Sequence, residues 1–111
     1  MAINSGIIGT SNTTMYTSTV TGTQLGNAIT TIIICNYGVT NANVTVYAVP
    51  NSSGSVGTPG TSNMIINALT VPAGESVCLD QEKLVLSSND TIVAISTVAT
   101  MLNMTISTLP V

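Results

Sequence analysis

A chain of 111 residues with one Lys or Arg, four Asp or Glu and no His, Phe or Trp excludes several functions at once. With a net charge of −3 and Lys83 as its sole cation it cannot neutralise the phosphates of a nucleic-acid partner. Without imidazole, Ser-His-Asp catalysis and His-ligated metal sites are excluded too.

In chain order, residues 1–13 read as an N-terminal arm. They carry no basic start and no long apolar run, so no secretory signal is expected and synthesis is placed in a cytoplasm. Residues 14–23 alternate, with Thr17, Thr19, Thr21 and Thr23 on one side as an outward polar face. Residues 28–37 carry aliphatics on both faces, as a central strand does, with Ile29, Thr31, Ile33, Cys35 and Tyr37 on one side. A turn over 38–43 leads to a strand at 44–49. Residues 50–63, rich in Gly, Ser and Pro, form a loop longer than ordinary hairpin connections, and therefore either a mobile segment or a contact element. Strands follow at 64–71, at 75–86 as one strand or a bent pair, at 91–99 and at 103–109. Helical periodicity is absent, and Thr, Val and Ile favour strands because β-branching stiffens χ1. The expected fold is a single all-β domain over residues 1–111, an antiparallel β-sandwich, jelly-roll-like, of seven to eight strands.

Such a globule exposes on the order of 5,700 Å², and five charged side chains are too few to solvate it. Thr, Ser and Asn, together more than a third of the chain, take part of that role. A mean hydropathy of +0.54 argues against disorder, and aliphatic runs such as Ile32-Ile33-Ile34 fall far short of the roughly 20 residues of a membrane helix. Sandwich edges normally carry charges that prevent strand-to-strand association. Here every charge falls within residues 75–90, so most edges are bare and association with copies or partners is the expected purpose.

Asp80 and Glu82, at i and i+2, share a strand face as a carboxylate pair would. Glycoside hydrolysis also wants aromatic stacking surface, and three Tyr without Trp supply little. Asp80, Glu82 and Asp90 lack the loop pattern of a calcium site, and Cys35 with Cys78 gives too few ligands for zinc. No catalytic residue, cofactor or metal is expected, and the two cysteines are expected as free thiols. The candidate interface residues are Tyr16, Tyr37 and Tyr47, which join apolar area to a hydrogen-bonding tip, and the charged group Asp80, Glu82 and Lys83.

The order of several segments adds a resemblance. Ile7-Ile8-Gly9-Thr10 opens into a Thr/Ser-rich strand, and residues 29–37 precede Val44-Thr45-Val46-Tyr47-Ala48-Val49. Val71-Pro72-Ala73-Gly74-Glu75 and Glu82-Lys83-Leu84-Val85-Leu86 follow, closing on Asn89-Asp90-Thr91-Ile92-Val93-Ala94. This series resembles the small all-β virion structural proteins of tailed bacteriophages, of the marine and cyanobacterial type, over residues 29–95. The resemblance implies a non-enzymatic virion protein that forms homo-oligomers and contacts other virion proteins, without nucleic-acid or membrane partners. A capsid decoration or cement protein, bound to the major capsid protein, is the first expectation; a neck, tail or fibre component is the second.

Overall fold

The computed structural model describes residues 2–79 and 84–111. They form nine strands: β1 Ala2–Ile7, β2 Thr13–Thr17, β3 Asn27–Asn36, β4 Ala42–Val49, β5 Met64–Val71, β6 Ser76–Leu79, β7 Leu84–Leu86, β8 Thr91–Ser96 and β9 Leu102–Pro110. One short 3-10 turn, Thr61–Asn63, precedes β5. All pairings are antiparallel.

Two sheets result. Sheet A runs β1-β9-β3 and ends on β6 and β7, which pair with successive stretches of the same side of β3. Sheet B runs β2-β8-β4-β5. Counting β6 and β7 as one interrupted edge position leaves eight positions, connected as a jelly roll. The strand count exceeds the expected seven to eight for two reasons. The bent pair at 75–86 is two strands, and residues 1–13 are not an arm, because β1 pairs with β9 along its whole length.

The core lies between the sheets, with Ile29, Ile32 and Ile34 of β3 and Met104 and Ile106 of β9 facing Val44, Val46, Ile92 and Ala94. β3 departs from strict alternation: its register with β9 shifts between Ile29 and Thr31, so Ile29 and Ile32 both face inward. A bulge adds one residue to one strand and turns everything beyond it over. The expected grouping of Ile29 with Ile33 and Cys35 is corrected by that bulge.

β2 is also shorter than expected, so the Thr17–Thr23 ladder is not a strand face. At Ser18 the backbone leaves the sheet, donating its N–H to the Asp90 carbonyl and accepting the Asn89 N–H. Its buried hydroxyl donates to the Leu86 carbonyl and accepts from Asn27 Nδ2.

The long loop over 50–63 is a cover. Asp90 Oδ1 accepts from the Asn51 N–H at 2.7 Å and from Asn51 Nδ2 at 3.0 Å, while Oδ2 accepts from the Ser87 N–H at 2.8 Å. Asn89 Nδ2 adds a bond to the Gly54 carbonyl. A side chain at Gly57 would collide with the Pro50 carbonyl oxygen and come within 3.2 Å of Val49 Cγ1, so the loop backbone lies directly against β4. Beneath it, Val49 and Thr91 are fully buried although they point away from the core. Hydrogen bonds to a charged acceptor are each worth about 1.5–3 kcal/mol, so Asp90→Ala is expected to destabilise the fold by about 2 kcal/mol. Limited proteolysis of the variant should cut first within residues 50–63, and a cleavage pattern unchanged from wild type would refute the latch.

Candidate interaction surface

The two sheets differ in what covers their outer faces. On sheet B, the loop over 50–63 covers one end, and Val93 is buried on the outer face in register with Tyr47 on one side and Thr14 on the other. On sheet A no segment of the described chain does this. Leu102, Met104, Ile106 and Thr108 of β9 are buried inward, which sends Asn103, Thr105, Ser107 and Leu109 outward.

Register then assembles rows across the outer face of sheet A. Ser5, Thr105, Ile33 and Cys78 form one row, and Ile7, Asn103, Cys35 and Ser76 the next. Ile3, Ser107 and Thr31 lie on the other side of the first row, with Leu109, Ala28 and Val85 beyond them. Ile3 (74% exposed), Val85 (65%) and Ile7 (54%) are among the most exposed large apolar residues. Among the described residues, no charged side chain stands on this face.

The edges are equally unequal. β2 carries a bulge between Thr14 and Tyr16. β5 has two register shifts against β4 and a left-handed residue, Ala68, at φ 52°. β6 and β7 contribute four and three residues, separated by a segment that includes Asp80, Glu82 and Lys83. β1 alone has no such protection: its six residues pair with β9 without irregularity and carry neither charge nor Pro. Just beyond β1, the Ile8 N–H donates to the Leu102 carbonyl at 2.8 Å. Hydrogen-bonded pairs alternate along an antiparallel ladder, so Ala2, Asn4 and Gly6 also bond to β9. Ile3, Ser5 and Ile7 therefore turn their N–H and C=O groups outward, a ready template for another strand.

Of the residues expected at an interface, Asp80, Glu82 and Lys83 lie outside the described residues. The three tyrosines are not gathered into one patch. Tyr16 packs against the core and lines an open groove of about 430 Å³ beside Asn4, Thr14 and Thr19. That groove contains no acid, base or thiol. Tyr47 is half-buried on the outer face of sheet B, and Tyr37 is exposed beyond β3, its N–H bonded to the Met101 carbonyl. Sequence reasoning favoured aromatic anchors and passed over Ile3, Ser5 and Ile7. The missed signal is the alternation Ile-x-Ser-x-Ile, which the intervening Gly6 and the short length made look like an arm.

Cys35 and Cys78 are both free thiols on the outer face of sheet A. They are diagonal neighbours, since Cys78 opposes Ile33 and Cys35 opposes Ser76. Diagonal positions lie about 7–8 Å apart, beyond ordinary disulfide geometry. Cys78 Sγ instead lies 3.4 Å from Thr31 Oγ1. In native protein Cys78, the exposed thiol, is expected to react with a disulfide reagent at least several-fold faster than half-buried Cys35. Peptide mapping after a short labelling pulse checks this; equal labelling would contradict it. Among the described residues no three potential ligands converge on a metal site, and the Asp90 carboxylate is engaged by Asn51 and Ser87.

No protein-family model and no curated protein matches this sequence. Among solved structures, the chain is similar to a subunit of the Bacillus endospore appendages, described as a novel family of disulfide-linked pili. The likeness has a TM-score of 0.51 at 14% identity and covers 95% of this chain and 80% of the other. At that identity the likeness is one of fold, an all-β sandwich.

Proposed function

We propose that this protein is a non-enzymatic structural subunit of a bacteriophage virion, present in many copies, that decorates and cements the capsid exterior. The observation that carries this reading is the outer face of sheet A, which among the described residues is neither charged nor covered, bordered by the unprotected edge β1. A free monomer with these features is prone to association, whereas a part seated among copies and partners is stabilised by them. The surface is built on hydrogen-bonded strands, which suits a protein that reinforces a shell. Laid across a seam between major capsid protein subunits, it would add apolar contact and backbone hydrogen bonds at many equivalent points. Multivalency then turns individually weak contacts into a durable coat. The viral setting is what the resemblance of residues 29–95 to virion β-proteins implies. The fold shared with a pilus subunit supports a role in many-copy assembly.

A neck, tail or fibre component is the second reading. It is favoured by the elongated form, 45 × 26 × 21 Å, because end-to-end stacking of such units builds rings and fibres. Reconstruction of intact particles by cryo-electron microscopy separates the two. Hundreds of copies on the head support cement, a small ring at one vertex supports the neck or tail, and absence from purified particles overturns both.

A further inference from the structure

We infer that β1 pairs antiparallel with β1 of a second copy about a two-fold axis through Ser5, joining two copies of sheet A into one continuous sheet. This deepens the assembly reading above by naming the occupant of the open edge.

Ile3, Ser5 and Ile7 turn their N–H and C=O groups away from β9, which gives the edge three donors and three acceptors in alternation. An identical strand laid antiparallel can meet them in few registers. Ser5 opposite Ser5 of the second copy also places Ile3 opposite Ile7 and Ile7 opposite Ile3. All three residues then become hydrogen-bonded pairs, and six backbone bonds form. A shift of two residues in either direction leaves two pairs, and a shift of four leaves one. The register centred on Ser5 thus satisfies the most groups.

Side chains agree with it. Ile3, Ser5 and Ile7 all face outward on sheet A, so each isoleucine meets the other's counterpart as a cross-strand apolar pair, with small Ser5 at the axis. On the inner side the register brings Asn4 opposite Gly6, which has no side chain to obstruct it. No charge on β1 opposes the approach of a like copy. The other edges do not compete: β2 and β5 are bulged, and β6 and β7 are short and separated by a charged segment. An isologous contact of this kind closes as a pair rather than growing into a filament. It also leaves the outer faces of both copies of sheet A on the same side, doubling the surface available to a larger partner.

The pair is weak on its own. Six residues a side are about a quarter of the roughly 20–30 that each partner gives to a standard interface, so association is expected only at high concentration or on an array.

The register is tested by cysteine crosslinking in a background carrying Cys35→Ser and Cys78→Ser. Ser5→Cys protein, oxidised near millimolar concentration, should crosslink to itself, since hydrogen-bonded partners sit about 5.5 Å apart between Cα atoms, within disulfide range. Ile3→Cys alone should not crosslink, but an equimolar mixture of Ile3→Cys and Ile7→Cys should give the mixed dimer. Ser5→Pro removes an N–H that the monomer leaves free, so it should melt like wild type while self-association by sedimentation falls at least ten-fold. If Ser5→Pro lowers the melting point, Ser5→Lys, which sets two like charges across the axis, replaces it. Self-crosslinking of Ile3→Cys as efficient as that of Ser5→Cys, or unchanged sedimentation of the proline and lysine variants, overturns the pairing. A chain found on particles whose Ser5→Cys form does not crosslink there refutes the pairing while leaving the virion role standing.

Discussion

Replacing Asn36 with Ala is expected to cost about 3 kcal/mol and to lower the melting temperature by roughly 10–20 °C. Asn36 ends β3 and is fully buried. Its Nδ2 donates to the carbonyls of Thr40 and Val71, both at 2.9 Å, and its Oδ1 accepts the Gly38 N–H at 2.9 Å. One amide thus fastens the turn after β3 and ties sheet A to the end of β5 in sheet B. The backbone at the same residue adds bonds to Glu75 and Gly74. Truncation removes three hydrogen bonds from a fully buried side chain, two to the Thr40 and Val71 carbonyls and one from the Gly38 N–H. At about 1 kcal/mol for each bond lost, the three together account for the expected cost. Asn36→Asp is no rescue, because it turns a carboxylate oxygen toward two carbonyls. Calorimetry of the two variants checks the claim; a loss below about 1 kcal/mol for Asn36→Ala would refute it.

Ile34→Ala should be at least as severe, at about 4 kcal/mol, within the 2–5 kcal/mol typical of a large-to-small change in a close-packed core. Ile34 is fully buried on β3, flanked in register by Met104 of β9 and Val77 of β6, and faces sheet B across the sandwich. Strands hydrogen-bonded on both sides cannot collapse into the space, so most of the cavity persists. Ile34→Val, which removes one methylene, should cost about 1 kcal/mol. The graded pair separates cavity formation from general intolerance, and urea titration provides both values. Equal losses for the two variants would contradict the packing account.

Both effects arise where the sequence pattern was easiest to read. Period-two runs of β-branched residues located β3, β4, β5, β8 and β9 to within a few residues, because burial on a pleated surface imposes that period. Aliphatics on both faces marked β3 as central, and it has neighbours on both sides. Where a longer-range bond overrides the local pattern, the reading failed. The bulge at Thr30 is invisible in a run of Thr and Ile, since either residue fits either face. Ser18 leaves β2 to bond with Asp90 and Asn89, contacts more than seventy positions away. The loop over 50–63 looks unstructured by composition and is held by Asp90, whose role depends on a turn that folding brings to it.

The candidate surface was legible only in outline. Confinement of charge to residues 75–90 is a property of the sequence and implied bare edges elsewhere. Which edge is open depends on bulges and on strand order, and neither is written in local propensity. Aromatic anchors drew attention because they dominate many interfaces. Here backbone groups and two isoleucines carry the surface, while Tyr16 and Tyr47 are partly taken up by packing. The total exposure, 5786 Å², matches the area expected of a monomer of this size, so the shortage of charge is unrelieved by any unusual compactness.

The central claim is that the chain works by association through β1 and the outer face of sheet A. Residue-resolved hydrogen–deuterium exchange, compared between dilute protein and its assembled form, tests it most directly. In dilute protein the amides of Asn4 and Gly6 should be protected and those of Ile3, Ser5 and Ile7 should exchange freely. On assembly all five should become slow, together with protection across sheet A. Protection confined to sheet B and the loop over 50–63, with Ile3, Ser5 and Ile7 still exchanging freely, would contradict the account.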